Sequence, residues 1–163
     1  MGKPTSTFGL KVIDMRAQDW TDILQKELEL RGQKEGFETK PNKETKIENA
    51  LKVKPDMMWI KDGKTEIIFE IDQFPVNYQK TVYGSMLQGL VLAKQQGAKF
   101  VEIVPNDRVG KKAHIIAEIL KNQFNDLPEF HVLKVRKSDK PSAMRHAQYH
   151  LKIQLDKILG AKV

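Results

Sequence analysis

The chain predicts an α/β fold, a mixed central β-sheet flanked by helices, on three observations. Asp62-Gly63 is a strong hairpin signal, set between the strand formers Met57-Met58-Trp59-Ile60 and Ile67-Ile68-Phe69. A long helical segment closes at Gly97 and is followed by Lys99 to Val104, a short, nearly continuous apolar run of the kind buried on both faces. The step from strand 65–72 through helix 78–96 to strand 99–104 implies a right-handed crossover and therefore a parallel pair within the sheet.

In order along the chain, Gln18 to Arg31 fits a helix, with Asp19 able to cap it and Trp20, Ile23, Leu24, Leu28 and Arg31 on one face at three- and four-residue spacing. Glu27 falls on that same face. Residues 32–46 are rich in Lys and Glu and read as a mobile connection, and Lys46 to Leu51 reads as a short helical turn or the start of a strand. The hairpin occupies Pro55 to Asp72. Tyr78 to Gln96 is a long helix, with Tyr78, Tyr83, Leu87, Leu90 and Val91 expected in the core. Gly110 to Phe124 is a second helix, Phe130 to Arg136 a strand, and Pro141 to Leu159 a final amphipathic helix opened by Pro-Ser and closed by Gly160.

With 163 residues and 40% hydrophobic content, the expectation is a single domain over 1–163, its core at about 18–136 and its last helix at 141–160. Cysteine is absent, which excludes disulfides and thiolate-bound zinc. Charged residues make up 30%, with net charge +7 and pI near 9.5, a balance that favours a polyanionic partner such as nucleic acid. Basic clusters at Lys111-Lys112, at Lys134, Arg136, Lys137 and Lys140, and at Arg145 suit phosphate contacts, and equally suit an ordinary solvated surface. Aromatics at 7% argue against a base-stacking platform, and no glycine-rich phosphate loop or serine nucleophile elbow occurs. His146 and His150 have a metal-binding spacing but no third ligand. No basic start followed by an apolar stretch, and no apolar run of membrane-spanning length, is present, so a cytoplasmic protein is expected.

The chemistry lies in the hairpin. Glu70 and Asp72 must share a face, because strand side chains alternate. Asp56 joins them only if the turn sets the register correctly, since a slip of one residue moves a strand's side chains to the other face. A three-residue loop Lys61-Asp62-Gly63 with a G1 bulge pairs Asp56 with Ile68 and makes it a diagonal neighbour of Glu70, Cβ atoms roughly 7–8 Å apart or less. A plain two-residue turn pairs Pro55 with Glu70 and turns Asp56 away. Converging carboxylates suit Mg²⁺ or Mn²⁺, since hard cations prefer oxygen ligands, and would repel one another without it. The competing reading is that acidic residues along a strand form its solvated face; the apolar residues on both sides of Glu70-Ile71-Asp72 weigh against that.

The element order, with Pro55-Asp56 and Glu70-Ile71-Asp72, resembles the PD-(D/E)XK nuclease superfamily over roughly residues 18–104. The resemblance implies a restriction-endonuclease-like core of helix, three strands, helix and strand. It implies a Mg²⁺-dependent DNA endonuclease with metal ligands Glu27, Asp56 and Glu70; RNA stays open as substrate, and because cutting both strands needs two active centres, a homodimer is expected for that case. Gln79-Lys80-Thr81-Val82-Tyr83 resembles the Gln-x-x-x-Tyr element of the RecB-type branch, which implies Gln79 and Tyr83 near a phosphate; Lys111 and Lys112 are expected as further nucleic-acid contacts on their basic charge alone. The family pattern has Lys where this chain has Asp72. Three readings follow. Lys80 reaches in as the displaced cation, or Asp72 is itself a ligand or orients the water, or catalysis has been lost and a nucleic-acid-binding protein retains the fold. An α/β interaction module whose acidic strand is mere surface is the further alternative.

Overall fold

A computed structural model describes residues 18–73, 79–137 and 141–160. The first helix, α1, runs Gln18–Lys34, three residues beyond the expected end and with Asp19 inside its first turn. Residues 32–46 are not a loose connection: β1 is Glu38–Pro41 and β2 Thr45–Ile47, the latter pairing antiparallel with β3, Leu51–Val53, as a small ribbon. Within Lys46 to Leu51, Lys46 and Ile47 are thus in β2, Leu51 opens β3, and residues 48–50 are the turn of that ribbon, with Glu48 and Asn49 in the left-handed region at φ 52 and 57°. Next come β4, Met57–Lys61; β5, Lys64–Ile71; α2, Gln79–Gln96; β6, Lys99–Pro105; α3, Arg108–Gln123; β7, Phe130–Val135; and α4, Pro141–Leu159. Tyr78 lies outside the described residues. The α3 helix starts two residues before the expected Gly110, because the Asp107 side chain accepts hydrogen bonds from the Val109 and Gly110 amides and caps it there.

The main sheet has the order β1-β4-β5-β6-β7. Its first two pairings are antiparallel and the last two parallel, so it is mixed. Met57, Trp59, Ile67, Phe69, Ile71, Val101, Ile103, Leu133 and Val135 pack against Trp20, Leu24 and Leu28 of α1 and Met144, Ala147, Leu151 and Leu155 of α4. Met58, Ile68, Phe100, Val104 and Phe130 pack on the other face against α2, α3 and the β2-β3 ribbon. The result is three layers, helix, sheet, helix. Among the described residues no helix is long and apolar enough to cross a membrane.

The α2 helix presents Val82, Met86, Gly89, Leu90 and Ala93 to the sheet, while Leu87 and Val91, expected in the core, are 41% and 48% exposed. The cause is a close approach at Gly89, where a Cβ would sit 2.2 Å from Phe100 Cζ. That glycine sets the rotation of the helix and sends Leu87 and Val91 outward. Gly84, on the same helix, has nothing within 4 Å of a Cβ. Gly89→Ala is expected to destabilise by about 1–3 kcal/mol through overpacking, whereas Gly84→Ala should stabilise by roughly 0.5–1 kcal/mol as an ordinary helix glycine. Thermal denaturation of the two variants checks both.

Candidate metal centre

The hairpin turn is not the three-residue loop expected. Lys61 pairs with Lys64, leaving Asp62 and Gly63 as a two-residue turn with φ 52 and 76°, the positive values a type I′ turn needs. Carried on unbroken, that register would put Pro55 opposite Glu70. A bulge intervenes. Ile60 pairs with Thr65 but Trp59 pairs with Ile67, so Glu66 has no partner and the register moves by one. Met57 then faces Phe69, and one step further Asp56 stands directly opposite Glu70. The face that the expected loop would have given Asp56 is thus reached by a different device.

Three adjacent strands bring their carboxylates into one row. Glu70 is in parallel register with Glu102, which occupies the middle of β6 between Phe100 and Val104, both on the α2/α3 face. Asp56, Glu70 and Glu102 therefore lie side by side on that face, with Asp72 two residues on from Glu70. This is the carboxyl end of the parallel strands, where open α/β sheets bind ligands.

Each group is held from the backbone outward. The Ile71 amide donates to Asp56 Oδ2 at 2.7 Å, so the Asp56 side chain takes the place of the next rung of the β4-β5 ladder. The Asp56 carbonyl accepts from Gln25 Nε2 of α1 at 2.7 Å. The Asp72 amide donates to the Ile103 carbonyl at 2.9 Å, extending the β5-β6 pairing past the strand end. Ser85 of α2 donates from Oγ to Asp72 Oδ2 at 2.7 Å. Gln73 Nε2 donates to Thr21 Oγ1 at 3.0 Å and ties the segment after β5 to α1. Ser85→Ala should cost about 1 kcal/mol, measurable by denaturant titration, and leave Asp72 less well oriented.

Glu102 is the residue that sequence reasoning missed. It is 0% exposed, and neither Oε1 nor Oε2 accepts a hydrogen bond from any described donor. Its contact is the Asp72 carboxyl, an acceptor like itself unless one of the two carries a proton. Burial, then the Asp72 contact, then the charges of Glu70 and Asp56 push the Glu102 carboxyl well above the usual range. Burial pushes Glu70 up to about 10, with the Asp56 and Asp72 charges adding to it. Asp56 is raised by burial too, partly offset by the Ile71 amide and the Glu70 contact. The carboxyls thus fall into two touching pairs, Asp56 with Glu70 and Asp72 with Glu102.

Several expected participants lie elsewhere. Glu27 belongs to α1, on the opposite face of the sheet, where its Oε1 accepts from Gln148 Nε2 of α4 at 3.1 Å. Lys80 is exposed, and at 100° per residue it lies about 140° around α2 from Ser85, pointing away from the cluster. Gln79 is exposed, and Tyr83 is packed against the α2/α3 core about 160° around the helix from Ser85. Neither points where Ser85 meets Asp72. Lys111 is exposed and Lys112 half-buried in the first turns of α3, at the carboxyl end of β6. Among the described residues no group of three or more His, Cys, Asp or Glu side chains is disposed to hold a metal ion.

No known family model, curated protein or solved structure matches the chain.

Proposed function

We propose that the protein is a metal-dependent endonuclease with a restriction-endonuclease-like core, hydrolysing phosphodiester bonds in DNA with Mg²⁺ or Mn²⁺. The order α1, β1, β4, β5, α2, β6 supports this reading, with the β2-β3 ribbon inserted and α3, β7 and α4 appended. The observation that carries it is the row of carboxylates at the carboxyl end of the sheet: no described cation balances a group of acids that burial and mutual repulsion drive toward protonation.

Asp56 and Glu70 would hold the cation, and Asp72, steadied by Ser85, would ligate or orient the attacking water. A bound divalent cation supplies charge neutralisation at the non-bridging oxygens and a lower pKa for a bound water. The charge distribution favours a polyanion at this same end. Lys54, two residues before Asp56, is exposed, as are Lys80 at the start of α2, Arg108 and Lys111 at the start of α3, and Arg136 and Lys137 after β7. None of the six forms an ion pair with another described residue. At the far end of the sheet Lys94 pairs with Asp126, and Lys99 with Glu129 at 3.5 Å. Free cations ringing an acidic centre suit a phosphate backbone led onto a bound metal. A symmetric dimer would supply the second centre needed to cut both strands.

The test is incubation of supercoiled and branched DNA with the protein in Mg²⁺ and in Mn²⁺, where nicked or linear product is expected. The second reading, a nucleic-acid-binding protein that keeps the fold without catalysis, is favoured by Asp72 in the lysine position and by the outward course of Lys80. It predicts tighter DNA binding on adding Mn²⁺, with the DNA intact.

A further inference from the structure

We propose that the outer face of α2 and α3 is the contact between two copies of this chain, helix pair on helix pair about a two-fold axis. The contact stands on the face itself; its use, bringing two acidic centres to one duplex, rests on the nuclease reading above.

Five of the eight exposed large apolar side chains among the described residues lie here: Leu87 and Val91 of α2, Ile115 and Ile119 of α3, and Phe124 just after it, between 41% and 57% exposed. Helix geometry makes them one patch. Leu87 and Val91 stand eight and twelve residues into α2, and Ile115 and Ile119 seven and eleven into α3, each pair about one turn apart. The helices lie side by side on one face of the sheet and run the same way, because each connects neighbouring parallel strands, so the two pairs sit level. One flank of α3, with His114, Glu118 and Lys121, faces the β7 edge of the sheet, which leaves Ile119 on the flank toward α2. Phe124 closes the far end, lining with Leu87, Leu90, Val91 and Leu127 a hollow of about 340 Å³ where α2 meets the segment after α3. The five side chains leave on the order of 400 Å² of apolar surface open, the size at which a patch marks a binding surface rather than scatter. With exposed Gln88, Lys94, Asn122 and Gln123 around it, the face comes to roughly 800 Å² per copy, what a stable association buries.

Gly84 is an independent observation. It is exposed and lies three and seven residues before Leu87 and Val91, on the same outward stripe, in a helix interior where glycine lowers stability. Gly89 is accounted for by Phe100, whereas a Cβ at Gly84 meets nothing within 4 Å. Within one copy this glycine is dispensable, and the gain given above for Gly84→Ala is that of the single chain. A second helix crossing there uses the missing Cβ to come close. Gly84 of one copy then receives an aliphatic side chain from the other, and one face serves both sides, as a two-fold axis requires.

Charge favours a second copy as the occupant. At net +7 most of the surface repels its own kind. The borders of this face carry paired charges, Lys94 with Asp126 and Lys121 with Glu118 at 3.6 Å, while the free cations Lys80, Arg108 and Lys111 lie at the N-terminal ends of the helices. With the axis along the helices, those ends and the acidic rows beside them open to the same side in both copies.

Sedimentation equilibrium of the full-length protein without DNA, from low micromolar to submillimolar concentration, tests the contact, and plasmid cleavage in Mn²⁺ tests its use. Wild type should be a dimer. Gly84→Arg and Ile119→Glu, at exposed helix positions, should keep the circular dichroism of wild type and each raise the dimer dissociation constant at least about 100-fold. Tyr149→Glu, at an exposed position on α4, should leave that constant unchanged. In the cleavage assay the first two variants should turn linear product into nicked product. A monomeric wild type, an undiminished dimer in either Gly84→Arg or Ile119→Glu, or loss of the dimer in Tyr149→Glu overturns the contact and leaves the nuclease reading standing. A dimer that Gly84→Arg and Ile119→Glu dissolve, with no cleavage by wild type, overturns that reading and leaves the contact standing.

Discussion

Asp56→Ala and Glu70→Ala should each reduce Mg²⁺-dependent DNA cleavage by at least about 10²–10³-fold while leaving the fold intact. The magnitude is that of removing one group that stabilises charge in the transition state. Both side chains stand at the end of the hairpin, on the row that faces the N-terminal part of α2, and neither belongs to the apolar clusters on either side of the sheet. Loss of activity without loss of structure is therefore the expected pattern. Asp56→Ala also removes the acceptor for the Ile71 amide, so Asp56→Asn, which keeps an oxygen there, is the cleaner comparison. Far-ultraviolet circular dichroism controls for folding, and gel analysis of nicked and linear plasmid reads the activity. Glu27→Ala should leave cleavage within a few-fold of wild type, because Glu27 is bonded to Gln148 on the other side of the sheet.

The second large effect concerns stability in the absence of metal. An unfolded glutamate titrates near 4.5, whereas folded Glu70 is pushed up to about 10 by burial and by its acidic neighbours. Between those values the native state keeps a proton that the unfolded chain has released. The contribution of this group is thus complete below about pH 4.5 and drains away as pH rises toward 10, and Glu102 and Asp56, raised in the same direction, add to the slope. With chelator present, the melting temperature should fall from pH 6 to pH 9. Glu102→Gln and Glu70→Gln should flatten that fall. At pH 8 each should raise stability by about 1–3 kcal/mol, because the amide is neutral at every pH whereas the carboxyl must keep a proton that the unfolded chain releases, or roughly 2–4 °C for each kcal/mol in a chain of this size. A stabilising substitution at a candidate active-site carboxylate separates a functional cluster from a structural one.

What could be read in the sequence followed from how local each feature is. The presence of a hairpin at Asp62-Gly63, though not its loop length, the α2 stop at Gly97 and the buried β6 run each depend on a few neighbouring residues and appear where expected. The bulge at Glu66 could not be read, because the turn and the burial of Ile67 and Phe69 impose conflicting registers and one residue must be left out to satisfy both. The edge strand β1, Glu-Thr-Lys-Pro, looks like a linker because edges carry charges and proline. The β2-β3 ribbon likewise shows only Ile47 and Val53 to the core. Glu102 was visible as a lone acid in an apolar strand, yet only the β5-β6 register says that it meets Glu70. That Lys80 and Tyr83 do not converge with Ser85 on the acidic row follows from the rotation of α2, which is set by Gly89 lying on Phe100, a contact no local pattern reports.

The central claim is that Asp56 and Glu70 hold a divalent cation with Asp72 beside it, and the most direct test is the melting temperature at pH 8 with chelator and with millimolar Mn²⁺. A ligand that binds only the folded state stabilises it by RT ln(1 + [L]/Kd), about 2.7 kcal/mol at one hundred times Kd. Wild type should therefore melt several degrees higher in Mn²⁺, with the increase lost in the Asp56→Asn, Glu70→Gln double variant. An unchanged melting temperature in wild type would contradict the claim and leave the acidic row without a metal to explain it.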